Sequence, residues 1–405
     1  MKNNESAACD KTRGSSGEVL AAFLKLGLTS FGGPIAHLAY FRREFVDRRK
    51  WVDDSQYAQL LALCQFLPGP ASSKLGFSLG LLRAGWPGAL AAFVAFTLPS
   101  ALLLFAFAAL LPDMAGTTGD AAIHGLKLVA LAVVAQGVLG MIRQLCPDRP
   151  RQTIGALAAV IILLFGHAWV QLAVVALGAI AGAALCRAVV PAPGGGMDFR
   201  YGAALGWTLL VVFALLLLGL PLAARGGSNL IAVTEAFYRA GALVFGGGHV
   251  VLPLLEETVV KPGWISIDEF LAGYGAAQAV PGPMFTLAAY LGARLPGAEG
   301  GVVGASIATA AIFLPGFLLV AGVLPLWCVI AGHPIAARAI AGVNAAVVGL
   351  LGAALYDPVW TSAVRGPADV AIALVGFTLL AAWRASALLV VAWCVIASVL
   401  VAAML

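Results

Sequence analysis

Residues 65–70 read QFLPGP and residues 278–283 read QAVPGP, each inside otherwise apolar sequence and each with a glutamine, Gln65 or Gln278, three positions before the first proline. Proline lacks an N–H and its ring disrupts the preceding turn, while glycine permits a reversal. A helix therefore ends before Pro68 and another begins at Pro70, and the same holds for Pro281, Gly282 and Pro283. The new helix starts with free N–H groups at its positive end. Together with Gly69 and the hydroxyls of Ser72 and Ser73 they form an anion-binding arrangement, and Thr286 supplies one hydroxyl in the second copy.

A glycine-rich break accompanies each triplet. Residues 31–34 read FGGP and 245–249 read FGGGH, so Gly32, Gly33, Gly246 and Gly247 expose backbone by conformational freedom. Lys25 and Arg239 stand at equivalent places before these breaks, and a cation inside apolar sequence needs compensation. A bound anion supplies it; snorkelling of the long side chain to the nearer interface is the alternative. Lys74, Arg83 and Arg294 form a second rank of cations, with interface anchoring as their expected role. His37 and His249 follow the glycine breaks and titrate near neutral pH when unperturbed, which makes them the proton-coupling candidates. No acidic residue inside the apolar segments is duplicated as the basic ones are, which disfavours a cation carrier.

The elements that must position these groups follow from composition. The chain has 405 residues, 61% hydrophobic and 11% charged, with a mean hydropathy of +0.97. That is more apolar side chain than a soluble core hides, so the chain reads as an all-α integral membrane protein embedded in the lipid bilayer. Long unbroken runs such as 152–165, 203–220 and 367–382 exclude the short alternating segments of a β-barrel. The net charge of +5 gathers in a few loops as membrane orientation requires, and no nucleic-acid surface is expected. The six cysteines form no CxxC and no Cys/His cluster, so no metal, no cofactor and no redox enzyme is expected.

A shift of about 214 residues superimposes the chain on itself. Phe23, Lys25, Gly27, Phe31, Gly32 and Gly33 meet Phe237, Arg239, Gly241, Phe245, Gly246 and Gly247; after a one-residue slip Trp51 meets Trp264, and Pro99 later meets Pro315. With 48 glycines and 21 prolines, chance gives about 0.1 PGP triplets, so two in register mark a duplication. About thirteen helical segments are expected, at roughly 20 apolar residues per crossing. They are 18–40, 56–82, 86–111, 121–144, 152–166 and 168–189 in the first repeat, an unpaired 203–220, then 233–256, 268–294, 301–327, 335–355, 367–382 and 384–404 in the second. The expected organisation is a polar, disordered tail over 1–17, a first repeat over 18–190, a linker over 191–232 and a second repeat over 233–405. The loop at 42–50 carries five basic residues and its counterpart one, so equivalent loops fall on opposite faces and the repeat is inverted.

Several separate motifs, in order and in both halves, closely resemble the chromate ion transporter family: LGLTSFGGPIAHLAYFRREFV, QFLPGPASSKLGFSLG and FTLPS, then GALVFGGGHVVLPLLEETVV, AVPGPMFTLAAYLGARL and FLPGFLL. The resemblance covers roughly residues 18–405. It implies a long-chain, two-domain transporter of the bacterial inner membrane that exports chromate and confers resistance, with sulfate as the rival tetrahedral dianion. The residues alone reach only an anion carrier with paired broken helices, and an anion channel, a sulfate carrier and a homodimeric assembly stay open at this point.

Overall fold

The computed structural model describes residues 14–31, 33–110, 116–165, 168–189, 201–225, 229–245, 250–327 and 333–404. Helix starts are written locally. Ser15 caps α1 (Ser16–Thr29) by accepting the Glu18 N–H at 3.1 Å. The polar tail therefore ends earlier than residue 17, because this cap draws residues 14–17 into the fold, where the Gly14 N–H also donates to the Arg83 carbonyl at 3.1 Å. α2 (Gly33–Arg42) runs into a π turn, Arg43–Arg48. α3 (Asp54–Phe66) begins with a reciprocal cap between Asp53 and Gln56 and ends at the first triplet.

α4 (Ala71–Leu110) fuses two expected segments across a kink at Ala84 and Gly85, the latter at φ +66°. α5 (Thr117–Leu145), α6 (Arg149–Phe165) and α7 (Ala168–Leu185) complete the first repeat, and α8 (Ala203–Ala224) is the unpaired helix.

The second repeat restates this order. α9 (Asn229–Leu243) is followed by α10 (Val251–Leu255), which runs into another π turn, Glu256–Val260. α11 (Ile267–Ala277) starts from Ser266, the positional equivalent of Asp53, which accepts the Glu269 N–H at 3.2 Å. After the second triplet come a 3-10 turn (Met284–Thr286), α12 (Leu287–Ala293) and α13 (Gly301–Val323), the last two separated where α4 is continuous. α14 (Pro334–Ala354), α15 (Pro367–Ala381) and α16 (Ala387–Met404) close the chain.

Each of the thirteen expected segments contains helix, interrupted at 30–31, 67–70, 244–245 and 278–283, while 168–189 stops at Leu185 and 384–404 starts at Ala387; no strand occurs among the described residues. Among the described residues six helices are long and apolar enough to cross a membrane, and lipid-facing leucines on α4, α7 and α8 are exposed. The protein is an all-α integral membrane protein.

Its repeats interlock. α5 of the first repeat packs on α15 and α16 of the second, while α14 of the second packs on α6 and α7 of the first. Glycines make these approaches close: a Cβ on Gly125 would stand 2.6 Å from Val395 Cα, and one on Gly342, its equivalent, 2.0 Å from the Gly178 carbonyl oxygen. In a bilayer such close packing replaces the hydrophobic drive that soluble helices enjoy. An ion pair and a hydrogen bond reinforce one side of the exchange, Lys127 to Asp268 at 2.5 Å and His124 to Asp369 at 2.8 Å. At the loops, burial raises the Glu44 carboxyl but hydrogen bonds from Arg49 and Arg48 outweigh it and leave it below the ordinary value. A hydrogen bond from Arg151 holds Asp148 low in the same sense.

Candidate functional site: two crossed backbone breaks

Each PGP turn docks in the opposite repeat. The Gly69 N–H donates to the Val244 carbonyl at 2.6 Å, and the Gly282 N–H donates to the Ser30 carbonyl at 3.0 Å. Ser30 and Val244 are equivalent residues just before the two glycine breaks. Gly69 and Gly282 lie at φ +101° and +103°, a region that favours glycine. The fit is also tight: a Cβ on Gly69 would stand 3.0 Å from Gly316 Cα, and one on Gly282 2.8 Å from Ser100 Oγ. Ser100 and Gly316 follow the equivalent Pro99 and Pro315. Thus the four breaks are joined as two cross-repeat pairs, which satisfies backbone that hydrocarbon cannot.

The two crossings differ in side chains. Lys74, one turn into α4, is fully buried. Its Nζ reaches back across the break to the Leu67 carbonyl at 2.5 Å and the Pro68 carbonyl at 2.9 Å. It therefore caps the negative end of α3 while standing on the first turn of α4. No carboxylate lies within ion-pair distance of it among the described residues. Gly316 leaves room for its stem, whose Cγ and Cδ lie 3.5 Å from where a Cβ would be. Ser72 and Ser73 are buried beside it, and Ser73 Oγ has no hydrogen-bond partner.

At the second crossing Leu287 replaces Lys74, and the Thr286 hydroxyl donates to its own turn at the Pro283 carbonyl, 2.6 Å away. Gln278 turns its amide to Met284 Sδ at 3.1 Å. His37 is buried there, its Nε2 3.1 Å from the Ser30 carbonyl that also receives Gly282. Its Nδ1, with Ser30 Oγ and Thr97 Oγ1, has no partner. Buried polar atoms without partners are rare enough to require an explanation, and a bound polar ligand or water is one.

The other cations expected from the sequence are spent or displaced. Arg83 binds Glu18 at 3.1 Å and lies 5.3 Å over the Trp51 ring; Arg294 pairs with Glu269. Arg239 Nε stands 2.9 Å from Glu235 Oε1. Lys25 and Gln65 are exposed. Pro68 is half-buried, while Pro70, Pro281 and Pro283 are buried at the turns. Gly33 opens α2, and Gly32, Gly246, Gly247 and His249 lie outside the described residues. Around the two crossings the unpartnered polar atoms, Ser30 Oγ, His37 Nδ1, Ser73 Oγ and Thr97 Oγ1, all come from the first repeat. Sequence reasoning ranked Lys74 second; its signal was the repeat alignment, which sets a lysine against Leu287. Four cysteines, Cys64, Cys146, Cys186 and Cys394, are free and buried, as packing residues are.

The sequence profile described as Chromate transporter matches residues 17–183 and again 231–400. A protein named Chromate transport protein from Pseudomonas aeruginosa is 28% identical over 387 residues, covering 91% of this chain and 87% of its own. The Probable chromate transport protein of Synechococcus elongatus is 29% identical over 360 residues, covering 88% and 87%. A Chromate transport protein from Cupriavidus metallidurans is 26% identical over 380 residues, covering 90% and 86%. No solved structure matches this chain.

Proposed function

This chain belongs to the chromate transporter family, and from that premise we propose that it exports chromate from the cytoplasm by alternating access of its two repeats. The single observation that carries the anion reading is Lys74: a buried ammonium at a helix break, held only by carbonyls, next to an unpartnered serine hydroxyl. An intramembrane cation of this kind marks a substrate pathway. A tetrahedral oxyanion takes hydrogen bonds from the Lys74 Nζ, the Ser73 hydroxyl and the first N–H groups of α4. The carbonyls of Leu67 and Pro68 then lose their donor, so occupancy is linked to movement of α3 against α4.

The crossed pairs supply the moving parts. Each PGP turn belongs to one repeat and rests on the other, so a rocking motion of one repeat shifts both breaks together. The repeats are inverted in this proposal, with the basic loops 42–50 and 143–151 in the cytoplasm. The bacterial relatives support placement in the inner membrane, where export confers chromate resistance. Catalytic activity forms no part of this reading.

The test is uptake of labelled chromate by everted membrane vesicles holding the protein, with sulfate as competitor and Lys74→Met as the variant. Saturable uptake that Lys74→Met removes at equal protein level is expected. Sulfate uptake without chromate uptake makes sulfate the substrate, and flux that does not saturate makes the protein an anion channel.

A further inference from the structure

A cavity opens beside the first crossing, between α7, α9, α10, the π turn Glu256–Val260 and α14. Leu243 lines it, and the next residue, Val244, is the one whose carbonyl receives the Gly69 N–H. Its wall is otherwise aliphatic, with four polar groups: Gln171, Arg239, Glu257 and Thr258. Thr258 is committed to the Leu254 carbonyl at 3.0 Å and Glu257 to Lys261. Gln171 is buried.

Arg239 is held by an ion pair alone. Its Nε stands 2.9 Å from Glu235 Oε1, an i, i+4 ion pair, yet that Nε has no aligned hydrogen-bond acceptor. The Glu235 side chain is 12% exposed. The first repeat has no such pair: Ala21 stands at the position of Glu235 and the equivalent Lys25 is exposed. An acidic residue in an apolar helix, present in one repeat and absent from its copy, calls for a functional account.

We propose that Glu235 and Arg239 form a proton-linked anion contact on the path to the crossing, an inference that rests on the anion reading above. The entering oxyanion takes the Arg239 guanidinium from Glu235. The freed carboxylate, largely buried behind the cavity wall and left with no cation, accepts one proton from water. One anion and one proton are then bound together, and the proton leaves Glu235 when the anion leaves Arg239. Other charged groups on the elements packed against α9 are few. α8, α10 and α13 carry none, the π turn carries Glu256 and the Lys261-paired Glu257, and the 3-10 turn Gly297–Glu299 carries Glu299, which binds Asn229. Across the cavity α7 offers Gln171 and α14 only Val347 and Leu350. Glu235 is therefore the carboxylate that the anion displaces.

The experiment titrates the purified full-length protein with chromate, at pH values where chromate is wholly the dianion, and records affinity and proton uptake. For the wild type, uptake close to one proton per chromate and affinity falling about tenfold per pH unit are expected, as linkage of one proton requires. In Glu235→Gln, which keeps the shape of the side chain, the affinity should no longer depend on pH in this way. An unchanged slope in that variant, or wild-type binding with no proton uptake, overturns the inference while leaving the anion reading in place. No chromate binding by the wild type overturns both. The wild-type proton count needs no variant, so it decides the matter even if Glu235→Gln does not fold.

Discussion

At the first crossing a lysine ammonium, a free serine hydroxyl and a glycine N–H converge on the backbone break. At the second, Leu287 occupies the lysine position and Thr286 bonds its own turn. The backbone is repeated faithfully in both places, down to the φ angles of Gly69 and Gly282 and the carbonyls that receive them. Duplication thus preserved the framework, whose requirement is to satisfy backbone in hydrocarbon, and let the side chains diverge. The helix after the first triplet keeps a lysine and an unpartnered hydroxyl, that after the second keeps neither, and the unpartnered atoms at the second crossing, on Ser30, His37 and Thr97, come from the first repeat as well. The cavity side reverses this bias, with Glu235 and Arg239 in the second repeat facing Ala21 and Lys25 in the first.

The largest expected effect separates the two crossings by charge. Lys74→Met should lower chromate uptake in everted vesicles by about tenfold or more, since a hydrogen bond to a charged group contributes roughly 1.5–3 kcal/mol. Leu287→Met should leave uptake within about twofold, because this swap conserves volume. Equal losses in the two variants would break the comparison.

The backbone, by contrast, should respond alike on both sides. Gly69→Ala and Gly282→Ala each force a side chain into a left-handed conformation costing about 1–2 kcal/mol, before counting the contacts at 3.0 and 2.8 Å. Thermal unfolding in detergent should show both variants destabilised. A loss at only one of them would mean that the crossings are not mechanically equivalent.

The hydroxyls should divide function from stability. Ser73→Ala removes a group with no partner in the protein, so unfolding should be nearly unchanged while the half-saturating chromate concentration rises several-fold. Thr286→Val removes a bond to the Pro283 carbonyl and should cost about 1 kcal/mol of stability with little effect on half-saturation. The reverse pattern would move the anion to the second crossing.

The smallest effect lies in the loops. Glu44 is held below its ordinary pKa by Arg49 and Arg48 against the pull of burial, whereas the equivalent residue in the second repeat, Thr258, does not titrate. A carboxyl with a lowered folded-state pKa contributes stability above its unfolded pKa and loses it as pH falls through the folded one. Glu44→Gln should therefore flatten the acid side of the melting-temperature profile, and Thr258→Val should not.

Much of this was legible in the residues. The caps at Asp53 and Ser266, the breaks at both triplets and the thirteen segments follow from rules that act within a few positions. The pair Glu235 and Arg239 is legible too, at i, i+4 spacing, although the repeat gives it no signal because Ala21 stands at the position of Glu235. Arg83 and Arg294 read as interface anchors, and their partners, Glu18 and Glu269, lie 65 and 25 residues away. Lys74 was visible as a cation but not as an unpaired one, because pairing is a property of neighbours in space.

The sequence by itself determined the membrane class, the duplication and the places where helices stop, since hydropathy, proline and glycine act locally and need no partner. Only the tertiary structure decided that each triplet rests on the other repeat, that α5 and α14 exchange partners, and which cations are neutralised. Those outcomes depend on groups far apart in the chain meeting in a low-dielectric interior, where a carboxylate a few ångströms away decides whether a positive charge is free to hold an anion.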